Sequence, residues 1–232
     1  MTLVIATALA GCTTTQHEAQ RERLDSARQR AALAPTRVRV ANPSVTTTAL
    51  ATIRAAKRTA FIATVRNDGR DAVSDLPISI GYTRRDGSTV YLNAGAGRGY
   101  FQAHLPAIRA GRTLRWVYTS SRTLPRGARV FARVGLKPSV PYELTEMGVH
   151  IELRYHRAEG ARTVAIALRN PTGVPQYQLQ VYAYARAHGR YVAAGDATVP
   201  DLGAGAGSRL RLALVGTFTN TLHVEAVPTI LQ

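Results

Sequence analysis

Cysteine is almost missing from this 232-residue chain. Cys12 is the sole copy, so no intramolecular disulfide can form. Catalytic signatures are missing as well. There is no His-Glu-x-x-His and no nucleophile elbow. The glycine-rich stretches 93–99 and 202–207 lack the Lys-Ser/Thr that a phosphate-cradling P-loop requires, and read as flexible loops. No apolar run reaches the roughly 20 residues of a membrane-spanning helix. Acidic residues are few: 14 stand against 30 basic ones, of which only Lys57 and Lys137 are lysine, for a formal net charge of +16. These absences point away from redox, metal-dependent and nucleotide chemistry. The chain is expected to be non-enzymatic, with no cofactor and no metal.

What is present begins at the amino terminus. Met1 to Ala10 is almost wholly apolar or small, long enough for the core of a signal peptide and too short to span a bilayer. It runs into Leu9-Ala10-Gly11-Cys12, which resembles the lipobox of bacterial lipoproteins. That resemblance implies removal of residues 1–11, palmitate-type acylation at Cys12 and a lipid-anchored place in a bacterial envelope. Thr13 in the next position is, by the same resemblance, permissive for the outer membrane facing the periplasm in a diderm host. Signal peptides begin with a basic residue and this run does not, so the true start is expected upstream. Residues 12–35 are rich in helix formers and charge, with Leu24, Ala27, Ala31 and Leu33 as a thin apolar stripe. They read as a helical or disordered tether that Pro35 ends.

Two copies of one pattern follow. Arg66-Asn67 matches Arg169-Asn170 at an offset of 103, and Tyr82, Arg84 and Gly87 match Tyr184, Arg186 and Gly189 at 102. Ala110-Gly111 likewise matches Ala206-Gly207. Within each copy, short runs of period-two alternation are separated by Asn-Asp-Gly, Asp-Gly or His-Gly turns, which predicts β-hairpins. In the first copy Leu114, Trp116 and Tyr118 share one face, with Arg115 and Val117 on the other. The expected fold is all-β: domain 1 over 36–137, a linker over 138–145 and domain 2 over 146–232. About one hundred residues and seven strands per copy suit an immunoglobulin-like sandwich. The pattern of strand, Asn plus turn, Leu-x-Ile/Val-x-x-Tyr and glycine-centred hairpin resembles FxLYD-type and CARDB-like envelope modules, a resemblance that carries no catalytic residues.

The candidate contacts are few. His150, Glu152, Arg154 and His156 alternate along one strand, but the intervening arginine argues against a cation, and they read as its water-facing side. The arginines read as dispersed along strands and turns, apart from the small cluster Arg54, Lys57 and Arg58. No nucleic-acid partner is expected. Tyr91, Tyr100 and Tyr191, near strand edges, are the aromatic candidates for a partner surface. Two readings of function follow: docking of an envelope protein, or binding of an anionic envelope polymer such as lipopolysaccharide or teichoic acid through the arginine-rich surface.

Overall fold

The computed structural model describes residues 11–33, 36–95, 98–136, 150–157, 162–218 and 221–230. Leu9 and Ala10 of the lipobox and the 138–145 linker lie outside this set, as do the side chains of Cys12 and His156. The described residues form thirteen strands against one α-helix and a single 3-10 turn, so the fold is all-β. No helix among the described residues is long and apolar enough to cross a membrane.

The helix α1 spans Gly11–Leu33. The first copy of the repeat then supplies β1 (Val45–Arg54), β2 (Thr59–Asn67), β3 (Ile78–Thr83), β4 (Thr89–Tyr91), β5 (Thr113–Ser120) and β6 (Arg129–Val134). The second supplies β7 (Glu152–Arg157), β8 (Thr163–Arg169), β9 (Gln176–Ala187), β10 (Arg190–Leu202), β11 (Gly207–Ala213), β12 (Val215–Gly216) and β13 (Leu222–Val227). Every pairing between them is antiparallel. The sheets of the first copy run β1-β2-β5 and β4-β3-β6. Those of the second run β7-β8-β11 and β12-β10-β9-β13, the same order with β12 added at one edge. The sequence repeat is therefore a repeat of topology.

Alternation sets the cores. Phe61, Ala63 and Val65 of β2 and Leu114, Trp116 and Tyr118 of β5 turn inward against Ile78, Ile80 and Leu92. Trp116 is fully buried and its Nε1 donates to the Phe101 carbonyl, so a large ring is sealed without an orphaned donor. In the second copy Val164, Ile166, Leu168, Leu179, Val181 and Leu212 do the same work.

One asparagine per copy pins the loops. Asn67 and Asn170 are fully buried at the ends of β2 and β8. Asn67 Nδ2 donates to the carbonyls of Asp71 and Ile108, and Oδ1 accepts from Gly69 N. Asn170 Nδ2 donates to the carbonyls of Val174, Leu202 and Gly203, and Oδ1 accepts from Thr172 N. The two side chains satisfy equivalent backbone groups that strand pairing leaves over. The hairpins also correspond. Gly87 (φ 81°) turns β3 into β4, and His188-Gly189 (φ 49° and 76°) turns β9 into β10, a two-residue turn that needs positive φ at both positions.

The face that carries Arg115 and Val117 is not wholly a water side. Val117 is 2% exposed and Ile62 fully buried, because the β12-β10-β9-β13 sheet lies across them. Tyr182, Tyr184, Ala194, Val215 and Val227 of the second copy join the first copy's apolar cluster. The copies thus pack sheet face to sheet face. At Gly216 (φ 89°) a Cβ would fall 2.1 Å from the Val192 carbonyl oxygen of β10 and 3.0 Å from Ile53 Cγ2 of β1, so glycine is what lets β12 lie against β10 in this conformation.

Candidate functional site at the joint and poles of the head

The joint between the copies is apolar at its centre and polar along its length. Asp196 on β10 stands opposite Tyr182 on β9, and Tyr182 stands opposite Glu225 on β13. The Tyr182 hydroxyl is buried with no hydrogen-bond partner among the described residues. Asp196 as a residue keeps some exposure, but its Oδ1 is sealed from water. Burial pushes the Asp196 carboxyl above the ordinary carboxylate range; polar groups of Thr119 and Gln102 and the charge of Arg58 pull the other way. Burial raises Glu225 too, against the nearby Arg115. Tyr182 is pushed well up by burial and by these two acids. At the rim Arg115 Nη1 donates to the Tyr184 hydroxyl at 3.4 Å, with its guanidinium 5.7 Å from that ring.

One pole of the head is closed by α1. Leu24, Ala27, Ala31 and Ala32 pack on Tyr100, Phe101 and Ile230, while Leu33, the last member of the stripe, is 67% exposed. The residue that locks this contact is Arg28, fully buried. Its Nε lies 3.3 Å from Asp75 Oδ1, and its two terminal nitrogens donate to the carbonyls of Tyr177 and Thr229. The guanidinium also sits 5.0 Å from the Phe101 ring centroid. Asp75, itself fully buried, accepts from the Ser74 hydroxyl on Oδ2. A helix in front of both copies is thereby bonded to both copies. His104 stacks on Tyr100 at 4.0 Å, and burial lowers its pKa.

At the opposite pole the turns gather. Arg54 pairs with Thr59 at this end of the β1–β2 hairpin, roughly 25 Å along the strands from Asn67. Here Ala55, Ala56, Lys57 and Arg58 face Arg162, Thr163 and the Ala213–Thr217 stretch across a cleft of about 550 Å³. Its floor is mostly alanine, leucine and valine, and every charged residue lining it is a cation. A second cleft of about 680 Å³ is bounded by Arg84, Arg85, Arg126 and Arg129 around Tyr82 and Gly87. All four arginines are exposed.

The six contact candidates are thus divided. Lys57 and Arg58 line the first cleft, and Arg54 is exposed beside it. Tyr91 is half-buried, packing edge-on against Phe131 with Arg37 6.0 Å from its ring. Tyr191 is half-buried in the joint, in edge contact with Tyr184 and stacked by Arg186 at 4.3 Å. Tyr100 is 3% exposed and committed to α1. On β7, Glu152 and Arg154 are exposed, and no group of three potential metal ligands occurs among the described residues. Sequence reasoning missed Arg28, Arg162 and the second cleft. Arg28 stands four residues after Leu24 on the apolar stripe, the one signal that could have found it. No protein-family model matches the chain, and no curated protein resembles it.

Proposed function

We propose that this chain is a lipid-anchored, non-enzymatic protein of a bacterial envelope, and that its copies are tandem immunoglobulin-like sandwiches of the FxLYD or CARDB-like kind acting as one rigid binding head. The observation that carries the reading is the Arg28 latch. α1 begins beside Cys12 and is bonded to both copies through a fully buried guanidinium. A lipid on Cys12 would then sit about 18 Å of helix from the first docked residue, Leu24, and would hold the head at a set stand-off. The matched sheet orders and equivalent asparagine pins support the tandem reading. The partner in this reading is an envelope protein met through sandwich edges and loops, with strand addition as one mode. A second reading, binding of an anionic envelope polymer, is favoured by the convergence of Lys57, Arg58 and Arg162 on one cleft.

Anchoring is tested by metabolic labelling. The native chain should take up labelled palmitate and enter the detergent phase, and Cys12→Ala should do neither; retention of both by the variant removes the anchor. Salt separates the partner readings. A packed protein interface persists into high salt, whereas polymer binding falls steeply between low and physiological salt.

A further inference from the structure

The charges of the head are sorted between its two ends. The α1 pole mixes signs: Asp68, Asp71, Asp75 and Asp201 stand among its arginines, and Arg66 bonds Asp68 at 2.5 Å. Among the described residues the opposite pole does not. Across its described turns, 55–58, 84–88, 121–128, 162–163, 188–189 and 213–217, Asp86 is the one carboxylate. That carboxyl is taken up locally, accepting from the backbone N and hydroxyl of Ser88, which hold its pKa down. A genome-wide arginine bias would enrich both poles alike and would not leave the described turns of one of them with a single acid.

We propose that this far pole is a binding surface for a phosphate-bearing polyanion, gripped by the Lys57/Arg58/Arg162 cleft and the four-arginine cleft together. The inference rests on the reading of the chain as an anchored binding head. The two clefts lie on neighbouring turns: Thr59, which follows the first cleft, donates through Oγ1 to the carbonyl of Arg122, on the β5–β6 loop that continues into the second. A ligand able to engage both must be extended and repeat its charge. Arginine is the dominant cation of the surface, and its planar fork matches phosphate oxygens in pairs where an ammonium offers a point charge. The surface also points away from the end where α1 docks, which favours a polymer reaching toward the head over the headgroups of the anchoring bilayer. The aliphatic floor beneath Lys57 and Arg162 gives the backbone of such a polymer an apolar rest, which an open array of cations lacks.

The test uses the full-length Cys12→Ala chain and fluorescent linear polyphosphate, followed by anisotropy over a salt series. Binding is expected at low salt with a steep loss on adding salt. Reversal of one cation pair in each cleft, Lys57→Glu with Arg162→Glu and Arg84→Glu with Arg126→Glu, should weaken it by about tenfold per pair. All four positions are exposed, so the fold should survive, and a thermal melt checks this. Reversal at the α1 pole, Arg70→Glu with Arg112→Glu, should leave binding within about twofold. Equal losses from both poles would overturn the inference. So would equal binding of polyglutamate, which would make the partner an acidic protein, or capture by phosphatidylglycerol vesicles without polyphosphate, which would make it a membrane. If polyphosphate ignores the head while a photo-crosslinker at Ala213 or Tyr91 of the anchored protein joins it to one envelope protein, this inference fails and the binding-head reading stands.

Discussion

Asn67 and Asn170 show how a single side chain can carry the identity of a repeat. Each is fully buried and spends its amide on backbone groups of two loops, so truncation strands several donors and acceptors at once. Asn67→Ala or Asn170→Ala should each cost about 2–3 kcal/mol, read as a lowered urea midpoint with unchanged slope. Asp196 makes the opposite kind of contribution. Burial raises its folded pKa above the unfolded value near 4, so the stability that it lends is complete below that value and is lost as pH rises through the folded one. Asp196→Asn cannot ionise, so it lacks this loss. The melting temperature of that variant relative to the native chain should therefore be higher at pH 7 than at pH 4. His104, whose lowered pKa favours the neutral end, is common to both proteins and drops out of the difference.

At the scale of elements, hairpins were legible and docking was not. Asp86-Gly87 and His188-Gly189 announce turns because positive φ leaves a compositional mark, and alternation placed Leu114, Trp116 and Tyr118 on one face. The other face of β5 is mixed in pattern, with Arg115 and Thr119 flanking Val117, yet a second sheet covers it. Period-two patterning records that a face is apolar or polar, not which sheet lies against it. The helix shows the same limit. A thin stripe of two leucines and two alanines suggests a tether, and what fastens α1 is a charged residue that no hydrophobic pattern counts. Removing it leaves Asp75 buried without its cation, at a cost of about 3–5 kcal/mol. Arg28→Ala should release α1, and trypsin should then cut at Arg21, Arg23 or Arg30 under conditions in which the native helix resists, while the strand core survives. Lysine at this position should not rescue, since it lacks the fork that reaches Tyr177, Thr229 and Asp75 together.

For the molecule as a whole, the arginines look scattered in sequence because antiparallel strands send successive turns to alternate ends. Residues 57, 84, 126 and 162 are far apart along the chain, and the topology returns all of them to one pole. Charge polarity of this kind is a property of the folded topology, which is why linear clustering could not display it. The pairing of Arg28 with the Thr229 carbonyl spans 201 positions. A chain delivered amino terminus first carries α1 out before most of the strands that it must meet, and the helix can seat only once the final strand has closed on β9. Docking of α1 is therefore a report of completion: a nascent, truncated or misfolded head leaves the helix loose and its backbone open to proteases, and only a finished one holds it in a form that they cannot cut.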